Sequence, residues 1–196
     1  MFNFGIMASG AGSNFKALLT QIEEKQLSAV CQFVIVNNGN CGAAQIAKAH
    51  GIPVYHISTV THPEPVDYEQ AFLDVVNTHA VDFLLLAGYM KKVTDSLLDR
   101  LKDRVLNIHP SLLPKFGGQG FFGIRVHEAV LEARLAWTGA TVHLVSGDYD
   151  QGRILGQSVV PVFGGDTPEM LAARVLKAEH NLYWKTLRDY ATSLGF

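Results

Sequence analysis

The chain has 196 residues, 48% of them apolar and 17% charged, which suits one domain with a sizeable core and is short for two. A formal net charge of -2 offers no basic surface for nucleic acid, and no apolar run approaches the ~18 residues of a membrane-spanning helix. The two cysteines, Cys31 and Cys41, make neither a CxxC pair nor a disulfide framework; read as reduced thiols, they point to the cytoplasm.

Phe2 to Ala8 reads as a first strand, not as a signal peptide, because no basic lead precedes it and glycine arrives early. The tight turn Ser9–Asn14 follows, then a helix over Ser13–Gln26 with Phe15, Leu18, Leu19 and Ile22 on one face. Strand, glycine turn and helix form the layout of a phosphate site, where free N–H groups at a helix start face an anion. Gly10-x-Gly12 lacks the third glycine of the dinucleotide fingerprint, since Phe15 stands in its place. The second strand, Cys31–Val36, ends in Asn37-Asn38 where a ribose-reading acid would stand, and no Gly-Lys-Ser/Thr occurs. The turn therefore suits a single terminal phosphate, or is a plain strand-to-helix connection.

Cys41–His50 predicts a second helix stopped by Gly51, and Pro53–Ile57 a short strand. After a loop over 58–65, a helix over Val66–His79 turns Tyr68, Phe72, Val75 and Val76 inward. Asp82–Ala87 is an apolar strand that belongs in the middle of a sheet; it exits at Gly88-Tyr89-Met90. Thr94 or Asp95 caps a short helix to Leu101, and Val105–His109 is the next strand. This alternation predicts an α/β fold with a doubly wound, mostly parallel sheet, in which ligands bind past the carboxyl ends of the strands. Gly10–Asn14, Gly88–Met90 and Asn107–His109 all lie at such ends and should converge on one edge.

Asn107 and His109 interrupt an apolar strand two residues apart, so both side chains share a face, and Pro110 and Pro114 stiffen the chain beyond them. An amide beside an imidazole can polarise a carbonyl and move a proton. The pair fits equally a buried Asn and His that satisfy backbone groups.

Lys115–Gly123 is a glycine-rich loop with aromatics, Val126–Arg134 a helix, and Thr138-Gly139 a turn. Thr141–Val145 and Arg153–Val162 are strands whose link is too short for a helical crossover, so they form an antiparallel pair. Thr167 and Pro168 open a long C-terminal helix to Tyr190. Ala172, Leu176, Glu179 and Tyr183 share one side of it, and Glu179 there needs either an internal partner or an amine or hydroxyl of a ligand. His127-Glu128 begins an HExxH pattern, but Leu131 ends it, and no metal site is expected. With no repeat or linker, residues 1–196 read as one domain.

The strings Gly10-Ala11-Gly12-Ser13-Asn14, Leu86-Ala87-Gly88-Tyr89-Met90, Asn107-Ile108-His109-Pro110-Ser111-Leu112-Leu113-Pro114-Lys115, Thr141-Val142-His143, Asp148-Tyr149-Asp150 with Gly152, and Glu179-His180 resemble the phosphoribosylglycinamide formyltransferases of purine synthesis. The resemblance runs through nearly the whole chain. It implies a Rossmann-like formyltransferase fold and formyl transfer from 10-formyltetrahydrofolate, as co-substrate, to the amine of 5'-phosphoribosylglycinamide. It implies that Asn107, His109 and Asp150 are catalytic. Asn107 and His109 would stabilise the oxyanion of a tetrahedral intermediate, while Asp150 orients His109, raises its pKa and assists proton transfer. By the same resemblance Gly12, Ser13, Asn14, Leu176, Lys177, Ala178 and Glu179 would hold the ribonucleotide. Met90, Lys91, Lys92, Val93, Asn107, Ser146, Gly147, Asp148, Tyr149 and Asp150 would hold the folate.

Two departures from the family pattern stand out. Prolines occupy Pro63–Val66, where some members carry an arginine for the folate tail, which leaves Lys91 and Lys92 for its carboxylates. The Gly117–Gly123 loop also differs from a shorter, histidine-bearing version. Small-molecule partners, no nucleic acid, no membrane, and a monomer or homodimer are expected. The competing readings are formyltetrahydrofolate hydrolysis, with water as acceptor, and a nucleotide-binding module without chemistry.

Overall fold

A computed structural model describes residues 1–196. Strand β1 (Phe2–Ala8) feeds α1 (Ser13–Glu23), and β2 (Ala29–Val36) feeds α2 (Gly42–Ala49) and β3 (Val54–His56). Helix α3 (Pro65–His79) leads to β4 (Phe83–Leu86), α4 (Asp95–Arg100) and β5 (Val105–His109). Then come α5 (Ile124–Glu132), β6 (Trp137–Leu144), β7 (Ile154–Pro161) and α6 (Pro168–Ser193). The strands form one sheet in the order β3-β2-β1-β4-β5-β6-β7. Pairing is parallel from β3 through β5 and antiparallel at β5–β6 and β6–β7, the expected doubly wound sheet with an antiparallel C-terminal pair.

The central strands are apolar throughout because both faces are covered. Their two-residue period divides them between two cores. Phe4, Ile6, Phe83, Leu85, Leu106 and Ile108 pack on one side with Phe15, Val175 and Leu187 of α1 and α6. Met7, Leu84, Leu86 and Val105 pack on the other with Phe72, Val76 and Leu97 of α3 and α4. Tyr183, fully buried on α6, donates its hydroxyl to the Leu86 carbonyl at 3.1 Å and the Leu106 carbonyl at 3.0 Å. That hydroxyl fastens the long helix to the two strands whose ends carry the candidate chemistry.

Two expectations are corrected. Thr138-Gly139 is no turn: β6 runs from Trp137, and Gly139 pairs with Val159 of β7. A Cβ at Gly139 would sit 2.0 Å from the Ser158 carbonyl oxygen, so the glycine serves close approach of two backbones, not a bend. The other correction concerns element ends. Helix α1 stops at Glu23, α5 starts at Ile124 and α6 continues to Ser193. Thr167 caps α6, its Oγ1 accepting the Met170 N–H, whereas Thr94 starts α4 without a side-chain cap. The Leu113-Pro114 bond is cis. No helix is long and apolar enough to cross a membrane.

Candidate active site

The carboxyl ends of β1, β4 and β5 open into a single cleft of about 480 Å³, closed by α6 on one side and by the loops before α5 and between β6 and β7 on the other. This is the edge where sheets of this topology bind ligands, and the volume lies in the range of small-molecule sites. Three distant segments meet there. Asn107 and His109 come from β5, and Asp150 arrives from the β6–β7 loop in a left-handed conformation at φ 57.

Asp150 Oδ2 lies 3.5 Å from His109 Nδ1, and its Oδ1 lies 3.4 Å from Asn107 Nδ2. The imidazole is 6% exposed and the carboxylate 10%. Gly118 donates its N–H to Asp150 Oδ2 at 2.9 Å, and the Phe116 carbonyl accepts from His109 Nε2 at 2.7 Å. A carbonyl can only accept, so Nε2 carries a hydrogen and Nδ1 is the nitrogen that faces the carboxylate. Burial pushes the Asp150 carboxyl up, but the His143 and His109 rings and the Gly118 N–H outweigh it and hold it below the usual range. Asp150 is therefore a carboxylate at neutral pH.

His109 departs from expectation. Burial lowers its pKa, and the opposing pulls of Asp150 and the Phe116 carbonyl only reduce that shift. The sequence points to a carboxylate raising the histidine; desolvation proves larger, and the ring is mostly neutral at pH 7.

Also at this cleft, Gly12 precedes α1 at φ 77, and a Cβ there would sit 2.7 Å from Ala43 Cα. Gly12, Ser13 and Asn14 all line the cleft. Asn14 Nδ2 commits one of its two hydrogens to Glu179 Oε2 at 2.6 Å, joining α1 to α6. The helix start still has its first backbone N–H groups free for an anion. Glu179 is buried, and burial raises its pKa against the opposing Asn14 hydrogen bond. Asn14 Oδ1 is buried without a partner.

The remaining expected residues divide by geometry. Leu176 and Glu179 line the cleft, but Lys177 is exposed elsewhere and Ala178 packs toward the core. Residues three apart on a helix share a face, and the two between them do not. Met90 and Lys92 line the cleft, while Lys91 projects away and the Val93 side chain is buried in the core beneath α3 and α4. Ser146, Gly147, Asp148 and Tyr149 also line it, and the Asp148 carbonyl accepts the Ser146 hydroxyl.

Two histidines of the site have no role in the sequence reading. His143 of β6 lies opposite Asn107 in the antiparallel register, its Nε2 3.1 Å from Asn107 Nδ2. His127 of α5 is buried at the cleft wall, its Nδ1 without a partner. Burial, and then the neighbouring His109, lower the His127 pKa to about 4. The signals were the string Thr141-Val142-His143 on a strand next to β5, and the incomplete HExxH on α5.

A family model described as formyl transferase matches residues 2–187. The chain is 43% identical over 180 residues to the chloroplastic phosphoribosylglycinamide formyltransferase of Arabidopsis thaliana, covering 91% of this chain and 61% of that protein. It thus spans about three fifths of the length of such plant relatives. It is 33% identical over 189 residues to phosphoribosylglycinamide formyltransferase of Bacillus subtilis, covering 96% of this chain and 94% of that one. The crystal structure of glycinamide ribonucleotide transformylase 1 from Symbiobacterium toebii superposes with a TM-score of 0.91 at 33% identity, over 98% of this chain and 89% of that one. By the extent of these matches the chain belongs to the formyl transferase family, among the phosphoribosylglycinamide formyltransferases.

Proposed function

We propose that this chain transfers a formyl group from 10-formyltetrahydrofolate to the primary amine of 5'-phosphoribosylglycinamide, a step of purine (IMP) biosynthesis. The reading rests on one observation above all: Asn107, His109 and Asp150 meet at one cleft that a glycine turn and a buried carboxylate also line. Relatives and solved structures that carry the phosphoribosylglycinamide formyltransferase name support it.

The ribonucleotide takes the end of the cleft formed by Gly12, Ser13, Leu176 and Glu179, its phosphate on the backbone N–H groups that begin α1. Glu179, fixed by Asn14, accepts from the amine or a ribose hydroxyl. The folate takes the wall of Met90, Lys92 and Ser146–Asp150, with Phe121 and Phe122 across from it. Bound there, 10-formyltetrahydrofolate supplies a formyl carbon already activated on nitrogen.

The amine needs little activation, because an α-amino group has a pKa of roughly 8 and a usable fraction is neutral. As it adds to the formyl carbon, negative charge grows on the formyl oxygen. Asn107 donates an N–H to that oxygen, and one such donor is worth ~10²–10³ in rate. The amine's surplus proton passes to the Asp150–His109 pair at Oδ2 and Nδ1, and the pair returns it to the departing folate nitrogen. Proton transfer of this kind is worth about 10²–10⁴. Two free cysteines fit a reducing, cytoplasmic setting.

The test monitors 10-formyltetrahydrofolate consumption by absorbance with and without the ribonucleotide. Consumption that requires the amine supports the transferase. Consumption with water alone overturns it in favour of a hydrolase, and none in either case overturns it in favour of a binding module.

A further inference from the structure

The formyl oxygen can be stabilised only if the Asn107 amide presents nitrogen, not oxygen, in the right place, and an isolated amide turns over freely. We infer that His143 is the positioning residue that holds the Asn107 amide in its donating orientation. The inference rests on the transferase reading above.

The backbone of β6 sets the tautomer of the ring. His143 Nδ1 lies 2.7 Å from the Leu144 carbonyl oxygen, which can only accept, so Nδ1 carries the hydrogen. In the neutral ring Nε2 is then a lone pair. It lies 3.1 Å from Asn107 Nδ2, within normal hydrogen-bond range, and 3.4 Å from Asp150 Oδ1. Asn107 Nδ2 is also 3.4 Å from Asp150 Oδ1. The three atoms form a nearly equilateral triangle, so the two acceptors subtend about 60° at the amide nitrogen, half the spread of its two N–H bonds. One N–H serves both acceptors, and the second is left for the cleft.

Turning the amide over would place its carbonyl oxygen against the Asp150 carboxylate and the His143 lone pair, three acceptors in contact. That reversal costs more in a buried site than in water, and the His143 side chain is 2% exposed. The strand register makes the contact rigid: Asn107 and His143 are direct partners on β5 and β6, and Leu144 continues the same strand.

Three variants test this, each compared with wild type for turnover and for both KM values. His143→Phe fills the space but accepts no hydrogen bond; it should lower kcat about 10²-fold and leave both KM values within about threefold. His143→Gln, whose amide oxygen can accept, should restore kcat to within about tenfold of wild type. In an Asn107→Ala background, His143→Phe should cost less than about threefold more, because the group it positions is gone. If His143→Phe does not fold, His143→Leu takes its place. Full turnover in the apolar variant, or an equal loss in both backgrounds, overturns the positioning role. A wild-type chain without amine-dependent turnover overturns the transferase reading instead, so the two failures are distinct.

Discussion

Acid should destabilise this fold through His127, by an amount that its surroundings fix. The ring is buried on α5 beside His109, its Nδ1 has no partner, and burial followed by the His109 neighbour lowers its pKa from 6.5 to about 4. In the unfolded chain it takes up a proton below about pH 6.5. In the folded chain it does so only below about pH 4. Between these values the unfolded state binds more protons, so stability is full above the upper one and falls as pH falls through the window. A gap of roughly 2.5 units at about 1.4 kcal/mol each gives a loss of about 3 kcal/mol in full, of which about 2 kcal/mol is gone by pH 5. Urea unfolding of wild type and His127→Gln, at about pH 8 and about pH 5, isolates this group, since other carboxylates and histidines titrate in both proteins. The wild type should lose about 2 kcal/mol more than the variant over that interval. Parallel losses, within about 0.5 kcal/mol, would refute the assignment of His127 as a ring held neutral by burial.

Asp150→Asn should leave the thermal transition near wild type and cut turnover by more than ~10², because the carboxylate that exchanges a proton with His109 is gone; near-normal turnover in a folded variant removes Asp150 from the mechanism. Glu179→Gln keeps a hydrogen-bond acceptor for Asn14 but loses the charge, and should raise the ribonucleotide KM roughly tenfold with little change in the folate KM; equal changes in the two would count against its place at the amine end. Gly139→Ala puts a methyl 2.0 Å from the Ser158 carbonyl oxygen and 2.7 Å from Leu112 Cδ2. Calorimetry should register a loss of about 1–3 kcal/mol, and an unchanged Tm would mean that β6 and β7 separate at no cost.

Hydrophobic periodicity carried most of the fold because the central strands are covered on both faces. Phe83-Leu84-Leu85-Leu86 reads as a middle strand from its residues alone, and it lies between β1 and β5. Thr138-Gly139 misled for a local reason: glycine is used both in bends and where backbones crowd, and nothing within the string tells the two apart. Asn107, His109 and Asp150 were legible as residues, the last through the family resemblance, but the net direction of the His109 shift was not. Desolvation depends on what covers the ring, and the path of the Phe116–Gly118 backbone that meets the His109–Asp150 pair is specified by no motif. Asn14 shows the same limit. Its place beside the glycine turn follows from the sequence, whereas its bond to Glu179 joins positions 165 residues apart.

The glycine-rich loop reads in sequence as a connection with aromatics, yet its backbone contacts both members of the pair to which the proposed mechanism gives the proton transfer. Phe116 offers a carbonyl to His109 Nε2 and Gly118 an N–H to Asp150 Oδ2, so one short stretch of backbone grips both members of the pair. Gly117 between them has no room for a side chain, since a Cβ would lie 2.4 Å from Leu113 Cδ2 and 3.2 Å from Asp150 Cβ, and Gly118 adopts φ 91. The two contacts act in opposite senses on proton affinity. The carbonyl favours a protonated imidazole and the N–H favours an ionised carboxylate, while burial resists both charges. In the proposed mechanism the pair accepts a proton from one nitrogen and releases it to another, which requires that neither partner hold it tightly. Burial prevents the imidazolium from becoming a trap, and the backbone contacts prevent burial from leaving the carboxyl protonated; the composition of this loop sets that balance by letting main chain come where side chains would not fit.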